Sequence, residues 1–130
     1  MSATVNAEQR RQFRLQLKQR YRELWDDVQR ELAAAEPYQQ IAGETHDAED
    51  EATADVLVDT RLAEVHRDIG EMRDIQAALR RLTGESYGSC PDCGADIAIE
   101  RLRLNPAVVR CHDCQQRYEK HHLRTAGATL

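Results

Sequence analysis

Apolar residues recur along the first third of the chain at a helical step. Phe13, Leu17, Tyr21, Leu24, Val28, Leu32 and Ala35 cover 22 residues in six steps, a mean of 3.67, and Trp25 widens the stripe. A second series, Val58, Leu62, Val65, Ile69, Met72, Ile75, Leu79 and Leu82, covers 24 residues in seven steps, a mean of 3.43. Both periods are helical, and the second is close to the 3.5 of a coiled-coil seam. Arg, Glu, Asp and Gln fill the intervening positions, as on a solvated face. The prolines, Pro37, Pro91 and Pro106, leave 1–36 and 38–90 free for long helices. Neither helix can bury its stripe alone, but the two can do so folded back on each other, as an antiparallel hairpin. Pro37 is expected to stop the first helix, and Gly43 to give the turn its freedom. The second helix is expected from near Asp47 to near Thr83, with Gly84 as its C-terminal cap. Gly70 inside it costs roughly 1 kcal/mol relative to Ala; a slight bend and a close helix approach are both open there.

Composition supports elongated helical packing over a large core. Hydrophobic residues make up 41% of the 130, but 17 of them are Ala and 4 are Cys, and only 5% of the chain is aromatic. A deep enzyme pocket is not expected from so few bulky side chains. The net charge of −5 is opposite to the balance that phosphate neutralisation requires. This charge has an address. Residues 36–60 carry eight acids and no Lys or Arg, whereas 1–35 come to +2, 61–89 to zero and 90–130 to +1. Within the acidic stretch, Asp47, Glu49, Asp50 and Glu51 open the second helix. Capping explains one or two of them, at roughly 0.3–1 kcal/mol each. An acidic tip is also suited to entering a basic or metal-bearing cavity.

The strongest chemical signal is Cys90-Pro-Asp-Cys93 and Cys111-His-Asp-Cys114, two C-x-x-C pairs 17 residues apart. Thiolates at i and i+3 in a tight turn supply two adjacent corners of a tetrahedron, and two such pairs complete a zinc site. Gly94 follows the first pair, where a residue free to take positive φ helps the turn close. Four cysteines leave no coordination position for catalysis, so one structural Zn2+ is expected. Ile97, Ile99, Leu102, Leu104, Val108 and Val109 offer a mini-core that would hardly fold without metal. Redox dithiols would want a βαβ context, and disulfides a secretory signal, which the opening 13 residues lack. A cytoplasmic location is therefore expected. No apolar run approaches the ~18–20 residues of a membrane span.

These residues together resemble the DksA/TraR family of bacterial transcription regulators. The family pairs a coiled-coil hairpin with a C4 zinc finger, and its best-known member carries a D-x-x-D-x-A tip motif, which reads here as Asp47, Asp50 and Ala52. The separation of this motif from the first cysteine and the gap between the cysteine pairs match as well. So do Tyr87-Gly88 and Ile97-x-Ile99-x-Arg101-Leu102. The resemblance covers nearly the whole chain. It implies a mainly α fold: a long antiparallel coiled-coil hairpin over 1–89 with an acidic tip near 36–52, and over 90–130 a small C4 zinc finger with a terminal helix. It also implies a monomer that binds RNA polymerase, enters its secondary channel and modulates initiation through the tip residues.

Two departures stand out. Longer members have an additional N-terminal segment. The family's best-known member also uses basic residues to hold the alarmone ppGpp against polymerase. The matching positions here are Asp74, Asn105 and Gln115, so the same ppGpp response is not expected. Two other readings keep the fold but change the activity. One is a transcript-cleavage factor whose tip carboxylates bring Mg2+. The other is a zinc-ribbon nucleic-acid binder using Arg101, Arg103, Arg110, Arg117, Lys120 and Arg124. The small net charge of that segment and its lack of stacking aromatics weigh against direct DNA binding.

Overall fold

The computed structural model describes the placement of residues 5–43 and 48–128, and the side chains of 5–34 and 59–123. The helices are α1 (Ala7–Gly43), α2 (Ala48–Leu82), α3 (Ile99–Leu104) and α4 (His112–Ala128). Among the described residues there is no strand, only an isolated antiparallel bridge between Ser89 and Asp96. The protein is thus mainly α, an antiparallel hairpin of two long helices followed by a four-cysteine finger and a terminal helix.

Local chemistry explains where the helices start and stop. Asn6 and Gln9 form a reciprocal capping box at the head of α1: Asn6 Oδ1 accepts from Gln9 N (2.8 Å), and Gln9 Oε1 accepts from Asn6 N (2.9 Å). Pro37 does not stop α1, which runs on to Gly43. A proline lacks only its own N–H, so it forfeits one rung of the ladder, and the later rungs can still carry the helix. Gly43 is correspondingly the last residue of α1 rather than part of the turn.

The described residues fall into two compact units, one holding Lys18–Asp74 and the other the residues up to Leu17 with those from Ile75 onward. In the first unit, Leu24, Val28, Val65 and Met72 are buried. Its cross-helix ion pairs give the register. Arg20 reaches Glu71 at 2.7 Å and Arg61 reaches Glu31 at 2.9 Å. Eleven residues forward on α1 correspond to ten residues back on α2, which is antiparallel pairing. The Arg20–Glu71 pair is close to half exposed, so it marks register more than it stabilises. Trp25 does not widen the buried stripe, being 51% exposed, and Leu32 is 43% exposed. A stripe of one residue per turn already fills the seam between two helices, and side chains flanking it face water. At Gly70 an added Cβ would meet nothing within 4 Å, which removes the close-approach reading.

In the second unit Phe13, Leu17, Ile75, Ala78 and Leu82 are buried with Tyr87, Ile97, Leu102 and Ala107. Gly84 does not act as a left-handed cap; the glycines with positive φ are Gly88 and Gly94. The end of α2 closes by tightened i→i+3 bonds, Thr83 N to Arg80 O and Gly84 N to Arg81 O, both 3.1 Å. The Thr83 hydroxyl also donates to Arg80 O at 2.6 Å. The carbonyls left over are taken by α1: one Arg10 guanidinium nitrogen donates to Leu82 O (2.7 Å) and Gly84 O (2.6 Å). An arginine at a helix C-terminus satisfies orphan acceptors and opposes the negative end of the helix dipole.

Two stability outcomes follow. Gly70→Ala should raise stability by about 0.5–1 kcal/mol, because it restricts the unfolded chain and meets no neighbour; a higher urea midpoint at unchanged m-value checks this. Arg10→Ala should lower stability by about 1.5–3 kcal/mol, the range for charge-assisted hydrogen bonds. An unchanged midpoint for the Arg10 variant would show that water replaces the guanidinium without loss.

Candidate metal centre

The first cysteine pair sits in a turn built by backbone hydrogen bonds. Cys90 N donates to Ala95 O (2.8 Å), and Gly94 N donates to Cys90 O (2.8 Å). Gly94 takes a φ of +78°, the conformation its place after Cys93 calls for. Gly88, at +88°, makes a second such bend just before the turn, and its carbonyl accepts from Ile97 N at 2.7 Å. The second pair is placed by α4. Cys111 precedes its first residue, and Gln115 N donates to Cys111 O at 2.9 Å. Cys114 N points at Cys111 Sγ, 3.5 Å away, so a helix N-terminus faces a sulfur.

These two turns bring Cys90, Cys93, Cys111 and Cys114 together, with all four sulfurs within 4.8 Å of one another. Cys93 Sγ and Cys111 Sγ are 3.8 Å apart. A tetrahedron with Zn–S bonds of about 2.3 Å has an edge of about 3.8 Å, so the donor set and its size both fit zinc. The thiols also differ from one another. Burial pushes the Cys90 thiol up, but amides of Cys111, Cys93 and Asp92 outweigh it and bring the pKa down to about 6. Hydrogen bonds that the Cys114 thiol donates to the neighbouring sulfurs, Cys111 first, together with burial push its pKa up to about 12. One thiol thus ionises readily and another resists, as expected of four sulfurs crowded without a cation. A bound zinc would be held by all four thiolates and would supply structure, with no open position for chemistry.

Around the sulfurs the side chains tie the finger to itself. Arg110 Nε donates to Asp92 Oδ2 (2.8 Å), and its guanidinium lies 4.0 Å from the Tyr118 ring centroid. It thereby links the first cysteine turn to α4. Arg101 Nε donates to Arg110 O at 3.1 Å. Leu102 is fully buried, whereas Leu104, placed by its sequence in the mini-core, is 88% exposed. The short helix α3 turns 102 inward, and the position two residues on falls on the opposite face. Pro106 and Ala107 complete the core instead. The sequence pattern missed them because neither belongs to a periodic run. Asp47 lies outside the described residues; Asp50 and Ala52 fall within the span of α2, with side chains outside the description.

Residues 85–120 match the prokaryotic dksA/traR C4-type zinc finger family. The fold is similar to a solved structure of transcription factor DksA2 from Pseudomonas aeruginosa, with a TM-score of 0.78 at 26% identity, over 90% of this chain and 88% of that one. The finger thus matches this family, and the chain is DksA-like in fold. Among its curated relatives, the RNA polymerase-binding transcription factor DksA of Haemophilus influenzae is 32% identical over 81 residues, 62% of this chain and 56% of that protein. The factor of the same name from Escherichia coli K12 is 28% identical over 123 residues, 95% of this chain and 80% of that protein. The family match spans the four-cysteine cluster, which suits one structural zinc. No described helix is long and apolar enough to cross a membrane.

Zinc binding should weaken as pH falls. Cys114 must lose its proton to ligate, so the apparent affinity should drop at least about tenfold per unit of pH below neutrality from this thiol alone. Competition with a chromophoric chelator between pH 6 and pH 8 measures it, and a flat profile would contradict the thiol assignment.

Proposed function

We propose that the protein is a transcription regulator that binds RNA polymerase. The observation that carries this reading is one arrangement: a four-cysteine finger at the end of an antiparallel helix pair, similar over 90% of the chain to a DksA2 structure. The relatives named as RNA polymerase-binding factors point to the same partner. In this proposal the region 1–89 acts as the inserted hairpin and 90–130 as the docking finger. The hairpin enters the secondary channel of polymerase, and Asp47, Asp50 and Ala52 at its tip act on the active centre to modulate initiation. Two carboxylates beside a Mg2+-dependent, basic centre bias its mobile elements by charge, without a catalytic step of their own. The protein would work in the cytoplasm as a non-enzymatic regulator with zinc as its structural metal.

The commitment of the finger's cations favours a protein partner over nucleic acid. Arg101 is bonded to Arg110 O and Arg110 to Asp92, while Arg117 approaches Cys114 Sγ at 4.0 Å. Phosphate binding would have to break such contacts.

Purified transcription from a ribosomal promoter tests the proposal. Asp50→Asn should keep polymerase binding and lose the effect on initiation, and ppGpp should not potentiate the wild type. Stalled elongation complexes should yield no 3′ cleavage products. A fully active Asp50→Asn variant would sink the tip mechanism, and failure of the wild type to bind polymerase would sink the proposal as a whole.

A further inference from the structure

Tyr87 is fully buried, yet it belongs neither to the cysteine cluster nor to a helix. Two residues, Gly88 and Ser89, separate it from Cys90. Its hydroxyl donates to Pro106 O at 2.8 Å, in the segment that leads into Cys111. On its other side the ring lies against Phe13 of α1, with centroids 6.0 Å apart and planes tilted by 45°. Arg81 of α2 reaches the same segment, its guanidinium 3.4 Å from Ala107 O and 3.5 Å from Val108 O. Both chain segments that deliver cysteines to the cluster therefore converge on one side chain, and that side chain packs on the base of the helix pair. The phenol pKa is raised to about 12 by burial, against the pull of the Arg81 and Arg10 charges, which fits a ring kept from water.

We propose that Tyr87 is the positioning residue through which metal occupancy of the four cysteines sets the order of the hairpin base. The finger's own core is small, with Ile97 and Leu102 its fully buried aliphatics. Without metal, little fixes the turn after Gly88 or the segment 105–110. The acceptor at Pro106 then moves, the hydroxyl loses its partner, and a buried phenol without a partner is unfavourable where it is. The ring leaves Phe13, and the loss is felt at residues 10–17 and 75–84 as well as in the finger. Metal supply or metal loss would thereby regulate the helices that carry the proposed function. This inference rests on zinc binding and on contacts within one unit of the fold, and stands whether or not polymerase is the partner.

Amide hydrogen exchange on the full chain, zinc-loaded and chelator-stripped, reads the coupling directly. In the wild type, stripping should speed exchange at 10–17 and 75–84 on the order of tenfold. Tyr87→Phe keeps the ring and removes the hydroxyl; its loaded form should already exchange about fivefold faster there, the factor for one neutral hydrogen bond. Its loaded-to-stripped difference should shrink by the same factor. Tyr118→Phe, in α4, should retain the full wild-type difference. The proposal is overturned if stripping the wild type leaves 10–17 unchanged. It is equally overturned if Tyr87→Phe keeps the whole difference, or if Tyr118→Phe loses as much of it. Should Tyr87→Phe fail to fold, Phe13→Leu, which removes the ring that Tyr87 packs on, should shrink the loaded-to-stripped difference in its place, and an undiminished difference there overturns the proposal.

Discussion

Four thiols within 4.8 Å of one another form an electrostatic constraint before they form a metal site. Each thiolate raises the cost of the next, and the site answers unevenly: backbone amides favour the Cys90 thiolate, while the crowding of sulfurs and burial disfavour that of Cys114. A divalent cation relieves it, since all four sulfurs can then be negative at once. The rest of the finger depends on this relief. Its turns are held by few backbone bonds, its helix α3 has six residues, and its fully buried side chains are few. In so small a fold the metal–sulfur bonds take the place of a core.

The same economy governs the helices. With so few bulky residues, the buried side chains of α1 and α2 come about one per turn, and even a residue as small as Ala78 is fully buried among them. Polar groups do much of the remaining work. Arg10 closes the end of α2 and Arg81 reaches toward the carbonyls of 107 and 108. Each places a cation on backbone acceptors that have no helical partner. Arginine suits this role because one planar fork can serve two carbonyls and never loses its charge.

The outline was legible in the sequence because it rests on periodicity and on ligand spacing, both of which are local. Two helical repeats and two C-x-x-C pairs were enough to read a hairpin and a finger, the family resemblance added the terminal helix, and Gly94 was readable as a left-handed turn residue. What escaped depends on contacts between segments far apart in the chain. Arg10 looks like any surface arginine until α2 ends beside it. Leu104 reads as core until α3 turns it outward, and Pro37 reads as a stop until the helix runs through it. Trp25 was drawn into the stripe by its hydrophobicity, although the seam was already full. Tyr87 and Gly88 were visible as a pair before the finger, but no pattern could say that the phenol reaches Pro106.

Charge and geometry then divide the molecule in a way that bears on its partner. The acidic excess lies in 36–60, and the rest of the chain is nearly balanced. The cations of the finger could suggest a basic surface for phosphates, but several are drawn inward. Arg110 is shared between Asp92 and the face of Tyr118, and Arg101 is turned onto a backbone carbonyl. A guanidinium engaged on two sides gains little from a phosphate, since the new contact must replace those already made. Counterion release, the main source of affinity for nucleic acid, needs cations that are free to approach the backbone. A protein surface makes no such demand: it can read the shape of the metal-held finger while the acids meet complementary charge elsewhere. The finger therefore favours recognition by form, and the acidic stretch by charge, which suits a protein partner better than a duplex.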